Sequence, residues 1–238
     1  MNPPCSATHV RVARLRSGPV LLTVAELRHA AALSDAARAA EFRAGRTWLR
    51  RVLGDYLGAD PLALRLATTE WGKPYVVGHA VHFNLSHTPM VGASPSASLG
   101  VLAVSDRPVG IDVEPVNRDL RKALGRCTSP RERHRLAGSP TAHAVTVWTV
   151  KEAYAKALGL GHRLTFADLE TDEPVGGEPW TVRQDADLLV DVLYDVPDHV
   201  LAVARARDCP VSIVEVATDG VDACAVGGGA RRIMSSRR

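Results

Sequence analysis

Residues 99–116 read LGVLAVSDRPVGIDVEPV, two apolar runs interrupted by Ser-Asp-Arg-Pro. Both runs alternate with a period of two, the period of a strand. SDRP at 105–108 reads as the hairpin turn joining them. Upstream, residues 10–15 read as a short strand. Helix is expected from Thr23 to about Gly58, with Thr23 and Ser34 as N-caps and Gly58 as the stop. LALRLATTEWGKPYV (62–76) reads as strand, Gly-Lys-Pro turn and strand, and VHFNLSHT (81–88) as a further strand. TPMVGASPSAS (88–98) reads as a mobile insertion. Downstream, a basic and partly helical segment covers 117–137, and a helix covers 141–159. TFADLE, WTVRQ, LLVDVLYDV, HVLAVARA and VSIVEVA then read as strands. Each half places helix before antiparallel strands. The class is α+β, with similar halves over 1–106 and 107–217 meeting near 105–109, and a disordered tail over 218–238.

The 238 residues suffice for a real core. Hydrophobic residues make up 46% and charged residues 23%, as in ordinary globular chains. Aromatics at 5% leave few stacking surfaces, and a net charge of +3 is too mild to argue for nucleic acid. Cys5, Cys127, Cys209 and Cys224 show no zinc spacing and no disulfide framework, which places the chain in a reducing cytoplasm. The N-terminal stretch has neither the pattern of a signal peptide nor that of a membrane span. No GxxxxGK occurs, nor a GxGxxG after a strand, so P-loop and Rossmann sites are poor readings.

Within VGIDVE (109–114), Asp112 and Glu114 share one strand face, with Cα atoms roughly 6–7 Å apart. Like charges that close repel unless a cation lies between them, and Mg²⁺ prefers carboxylate oxygen. Two solvated acids on an exposed strand are the alternative. A third carboxylate comes from WTVKEAYAKALG (148–159), where Trp148, Glu152 and Lys156 form one stripe. Val147, Val150, Tyr154 and Ala157 form the neighbouring apolar stripe expected to face the core. Glu152 and Lys156 could equally be a plain i,i+4 pair worth about 0.2–0.5 kcal/mol. The chain has 29 basic residues, yet lysine occurs only at 73, 122, 151 and 156, two of them in this helix. Lysine is a compact charge suited to a phosphate oxygen.

WGKP at 71–74, FNLSH at 83–87, VGIDVE at 109–114 and WTVKEAYAKALG at 148–159 occur in the order and spacing of a known family. Over roughly residues 10–217 the chain resembles the 4′-phosphopantetheinyl transferases of the surfactin-synthetase-activating (Sfp) type. The resemblance implies a pseudo-twofold α+β fold, a monomer, and an active site between the halves. It implies Mg²⁺-dependent transfer, with Mn²⁺ as an alternative ion, of the phosphopantetheine arm of coenzyme A to a serine of an acyl or peptidyl carrier protein, releasing 3′,5′-ADP. It implies Asp112, Glu114 and Glu152 as metal ligands and Lys156 as the pyrophosphate clamp. Ser86 and His87 would meet the phosphates of coenzyme A, Lys73 its adenosine end, and Arg43 and Arg46 its 3′-phosphate. Glu152 would serve as base, with Lys151 orienting or relaying. The longer 88–98 segment departs from the family pattern.

Plainer readings of single residues stand beside these roles. His87 could end a strand, Asn84 could form a turn, and Trp148 could be core. Arg43, Arg46, Arg50 and Arg51 could be a solvated face. Between Val116 and Leu136, Arg118, Arg121, Lys122, Arg126, Arg131, Arg133 and Arg135 are opposed only by Asp119 and Glu132, a local balance of +5, seven minus two. Such a segment would steer an acidic carrier. Two other classes compete: a non-catalytic coenzyme A or carrier-binding module, and a Mg²⁺-dependent pyrophosphohydrolase.

Overall fold

The computed structural model describes residues 7–217 apart from 17, 93–96, 161–162, 175–177 and 194–195. The expected tail at 218–238 lies outside the described residues. The elements run β1 (Thr8–Leu15), α1 (Val24–Ala32), α2 (Ala36–Leu57), β2 (Leu66–Thr68), β3 (Pro74–Val76), β4 (His82–Pro89), β5 (Ser98–Ser105), β6 (Val109–Pro115), α3 (Leu124–Cys127), α4 (Pro130–Leu136), α5 (Thr141–Leu158), β7 (Thr171–Asp172), β8 (Trp180–Val182), β9 (Asp185–Leu193), β10 (His199–Ala206) and β11 (Val211–Ala217). The α+β class stands.

SDRP is not a hairpin turn. Strands β5 and β6 lie in different sheets, one ordered β11-β1-β5-β4 and the other β6-β10-β9-β8-β7. The two runs are stacked instead of paired: Leu99, Val101 and Ala103 bury one face of β5 with Val109, Ile111 and Val113 of β6 and with Leu201 and Val203 of β10. Alternation predicts which side chains share a face, but it says nothing about which neighbour supplies the backbone bonds. The outer faces of the sheets are covered by helices. Leu102, Val104 and Phe83 pack on Leu49, Val52 and Leu53 of α2, while Ala202, Ala204 and Val190 pack on Val147, Val150, Ala153, Tyr154 and Ala157 of α5. Each fully buried Val or Leu of these layers contributes about 1.5–3 kcal/mol. The layer order is therefore helix, sheet, sheet, helix.

The last strand departs from a division by sequence halves. β11 runs parallel to β1, from Thr8 opposite Val211 to Ala13 opposite Ala217, and so belongs to the first sheet. Smaller corrections concern caps and ends. Thr23 caps α1 through a capping box with Glu26, but the N-cap of α2 is Asp35, not Ser34, because its carboxylate accepts from both Ala37 N and Arg38 N. Gly58 ends α2 in the left-handed conformation as expected. Thr88, Pro89 and Ser98 of the expected insertion are strand residues, paired across the β4–β5 hairpin. Of its remainder, 93–96 lie outside the described residues. TFADLE forms turns, and β7 starts after it. Cys209, fully buried against Thr8 and Ser105, is disulfide-bonded, contrary to the expectation of no disulfides.

Gly110 sets how closely α5 lies on the second sheet. A Cβ there would stand 2.0 Å from Ala153 O and 2.4 Å from Ala157 N, both backbone atoms of the helix. Gly110→Ala is expected to lower unfolding free energy by about 3 kcal/mol or more, since backbone cannot step aside as a side chain can. The midpoint and slope of urea denaturation measure this.

Candidate active site

The two sheets bring edge strands β4 and β6 alongside each other without a ladder. Asn84 substitutes for one: its Oδ1 accepts from Ile111 N at 2.9 Å, and the residue is 7% exposed. It is a strand-to-strand stitch, not a turn residue. The period of two puts Asn84 and Ser86 of β4 toward β6, whereas Phe83 and Leu85 pack toward α2. On β6 the same period sends Gly110, Asp112 and Glu114 to α5.

Asp112 is the centre of this junction. It is 3% exposed; its Oδ1 accepts from Ser86 Oγ at 2.9 Å and from Lys156 Nζ at 2.6 Å. Lys156 also donates to Ser86 Oγ at 3.1 Å. Asp112 Oδ2 is buried and has no hydrogen-bond partner among the described residues. Glu114, two residues on, accepts from Trp148 Nε1 at 3.3 Å and pairs with Arg118 Nη1 through the same Oε1. Glu152 is half-buried, one turn from both Trp148 and Lys156 on α5.

These α5 residues line a cleft of about 490 Å³, together with Lys73, Asn84, Arg126 and Cys127. Trp71 guards the rim with Arg163 stacked at 3.6 Å from its ring centroid. Among the described residues, no group of three or more His, Cys, Asp or Glu converges on one point where a metal ion could sit. The donor chemistry does suit a hard divalent cation at Asp112, because a buried carboxylate oxygen without a partner is otherwise costly.

The remaining expected residues fall in three places. Lys73 Nζ donates to Ala157 O at 2.6 Å and Val109 O at 3.2 Å, so it holds the C-terminal end of α5 while its stem faces the cleft. His87 points to the opposite face of β4 from Ser86 and pairs through Nδ1 with Glu41 of α2 at 2.9 Å. On α2, Arg43 lines a small separate cavity with Arg16 and Thr47. Arg46 lies 3.6 Å from Glu26 and over the Phe42 ring. The α2 arginines are not simply a solvated face: Arg50 is 2% exposed, clasping Glu26 and the carbonyls of Pro61 and Leu64.

Lys151 is not brought to the cleft. It is fully buried, and its ammonium donates to Glu132 Oε2 at 2.5 Å, Cys127 O at 3.0 Å and Phe166 O at 2.7 Å. Those contacts use all three of its donors, so the expected catalytic role gives way to a structural one. Glu132, counted in sequence only as an acid opposing the basic segment, is equally buried; it also accepts from Thr171 N, Thr171 Oγ1 and Ser129 N. Burial alone would raise its carboxyl, but these donors outweigh burial and hold it below the usual range.

Burial also pulls the Lys73 ammonium down to about 8 from 10.5. The unfolded chain then carries more protons than the folded one between pH 8 and 10.5, so stability rises with pH across that window. Lys73→Met should flatten that rise, as read by urea denaturation at a series of pH values. A residual slope equal to wild type would assign the effect elsewhere.

Trp148, read in the sequence as possible core, and Arg118, read as part of the basic carrier-facing segment, both contact Glu114, which sequence reasoning did not anticipate. Their signals were present as spacing: Trp148 is one turn before Glu152, and Arg118 is four residues after Glu114.

Residues 108–204 match the family model described as the 4′-phosphopantetheinyl transferase superfamily. Over 131 residues the chain is 36% identical to 4′-phosphopantetheinyl transferase HetI of Nostoc sp., covering 50% of this chain and 52% of that protein. It is 29% identical over 163 residues to a 4′-phosphopantetheinyl transferase of Bacillus subtilis, covering 58% and 69%. The chain thus spans about half the length of the first relative. Among solved structures, holo-[acyl-carrier-protein] synthase of Thermotoga maritima is similar at 27% identity over 41% of this chain and 61% of that one, with a TM-score of 0.35, too low to bear on the fold. The matched segment, under half of the chain, contains Asp112, Glu114, Glu152 and Lys156, and over it the chain is similar to the 4′-phosphopantetheinyl transferase superfamily.

Proposed function

We propose that this chain is a holo-[carrier protein] synthase of the Sfp type. It transfers the 4′-phosphopantetheine arm of coenzyme A to a serine of an apo acyl or peptidyl carrier protein in polyketide, nonribosomal-peptide or fatty-acid synthesis, and releases 3′,5′-ADP. The observation that carries the reading is the Ser86–Asp112–Lys156 junction beside a cleft large enough for a nucleotide-sized ligand. The proposal includes two halves related by a pseudo-twofold axis, a monomeric enzyme and a cytoplasmic location. No described helix is long and apolar enough to cross a membrane.

In the reaction, the carrier serine oxygen forms a bond to the β-phosphorus of coenzyme A. The bond from that phosphorus to the bridging oxygen breaks, and 3′,5′-ADP departs with the electron pair. Asp112, with its unpartnered Oδ2, would hold Mg²⁺, with Glu114 and Glu152 as the further ligands the resemblance implies, and the ion would supply positive charge against that developing on the phosphate oxygens. Lys156 exchanges its bond to Asp112 for a pyrophosphate oxygen, and the Ser86 hydroxyl is within reach of the same group. Glu152, half-buried in the cleft wall, takes the serine proton. Most of the rate gain comes from positioning and electrostatics, as in other phosphoryl transfers. Ser86 and His87 serve the phosphates of coenzyme A, Arg43 and Arg46 its 3′-phosphate, and Lys73 its adenosine end. Arg121, Lys122, Arg126 and Arg133, all exposed, face an acidic carrier.

Mass spectrometry of a panel of apo carrier proteins incubated with the chain, coenzyme A and Mg²⁺ tests this reading. A carrier heavier by one phosphopantetheine is the expected product. Free phosphopantetheine with unmodified carrier would make the chain a hydrolase, and neither product would make it a binding module.

A further inference from the structure

We propose that Arg118 is the resident counter-cation of Glu114 and competes with the divalent cation for that carboxylate, while Trp148 positions Glu114 for either partner. The inference rests on the metal reading above and adds to it a residue that sets the site's affinity. Asp112 and Glu114 lie on one face of β6, and each is now neutralised by its own side-chain cation, Lys156 and Arg118. The two cations differ in what else they can do. Lys156 borders the cleft and has Ser86 as a second partner, so it stays with the site when a phosphate enters. Arg118 has no place in the cleft lining, and its side chain is 39% exposed, whereas that of Glu114 is 10% exposed. It can therefore swing into water with little desolvation change, and a partly exposed ion pair of this kind is weak enough to exchange.

Glu114 does not swing with it. Trp148 donates its indole N–H to the same Oε1, and the indole is braced edge-on by Phe166 at 5.6 Å between centroids. The Arg118 guanidinium lies 5.2 Å from the Trp148 ring, so its departure removes a cation from the face of that indole. A site whose ligand carboxylate is occupied part of the time binds its cation more weakly by that fraction. Arg118 acts through Glu114 and is a positioning residue.

Mg²⁺ titration of the full chain with coenzyme A present, followed by calorimetry and by tryptophan emission, tests the exchange. Arg118→Gln should lower the Mg²⁺ dissociation constant by about fivefold, and Arg118→Lys should stay near wild type. Mg²⁺ should change tryptophan emission in wild type, and that change should vanish in Trp148→Phe. A Mg²⁺ constant in Arg118→Gln equal to or weaker than wild type would overturn the proposal while leaving the metal site standing. If wild type binds no Mg²⁺, the metal reading itself fails and Arg118 loses its competitor. Equal emission changes in wild type and Trp148→Phe would remove Trp148 from the arrangement.

Discussion

Asp112→Asn is expected to lower kcat/KM for carrier modification by about a thousandfold, with the fold intact. Asparagine keeps an acceptor for Ser86 Oγ and Lys156 Nζ at the same place as Oδ1. It replaces the buried, unpartnered Oδ2 with an amide that cannot ligate a hard cation. It also removes the negative charge that holds Lys156 at the junction. Losing one preorganised electrostatic group in a site of this kind typically costs about a hundred- to a thousandfold, and here one substitution disturbs two. Circular dichroism and urea denaturation should be near wild type, which separates a chemical defect from a folding one. Retained turnover would move the chemistry away from β6.

Glu132→Ala should destabilise the chain by about 3–5 kcal/mol, the cost of leaving a buried charge without its partner. The Lys151 ammonium would keep only the carbonyls of Cys127 and Phe166. Thr171 N and Ser129 N would lose their acceptor as well. Glu132→Gln retains acceptors for part of this set and should recover part of the loss. The urea midpoint reads both. Coenzyme A turnover per folded molecule should change far less than in Asp112→Asn, because Lys151 lies outside the cleft lining. A selective loss of turnover in a stably folded Glu132 variant would return Lys151 to the catalytic machinery.

The two lysines of one helix show what the sequence could and could not convey. Spacing placed Glu152 and Lys156 on one stripe with Trp148, and the structure puts all three on the cleft wall. Adjacent Lys151 is turned by roughly 100° to the other side. Nothing in the spacing reveals that Glu132, nineteen residues upstream, waits there. Buried ion pairs across elements carry no periodic signal. Ser86 and His87 teach the same lesson for strands: consecutive residues of a motif face opposite ways, one to Asp112 and one to Glu41.

Of the four lysines, three end on carbonyls or carboxylates inside the molecule, and only Lys122 is exposed. Long-range pairing was the least legible part. SDRP looked like a turn because its chemistry is that of a turn; its role as a crossover depends on partners far along the chain.

The parallel seat of β11 beside β1 has a bearing on how the polypeptide is made. During synthesis β1 leaves the ribosome long before β11 exists, so the earlier-emerging sheet must wait with an open hydrogen-bonding border until nearly all the described residues are available. Assembly of that sheet is completed only once translation has passed Ala217, and a fragment cut before Val211 would display the bare border to its neighbours and clump.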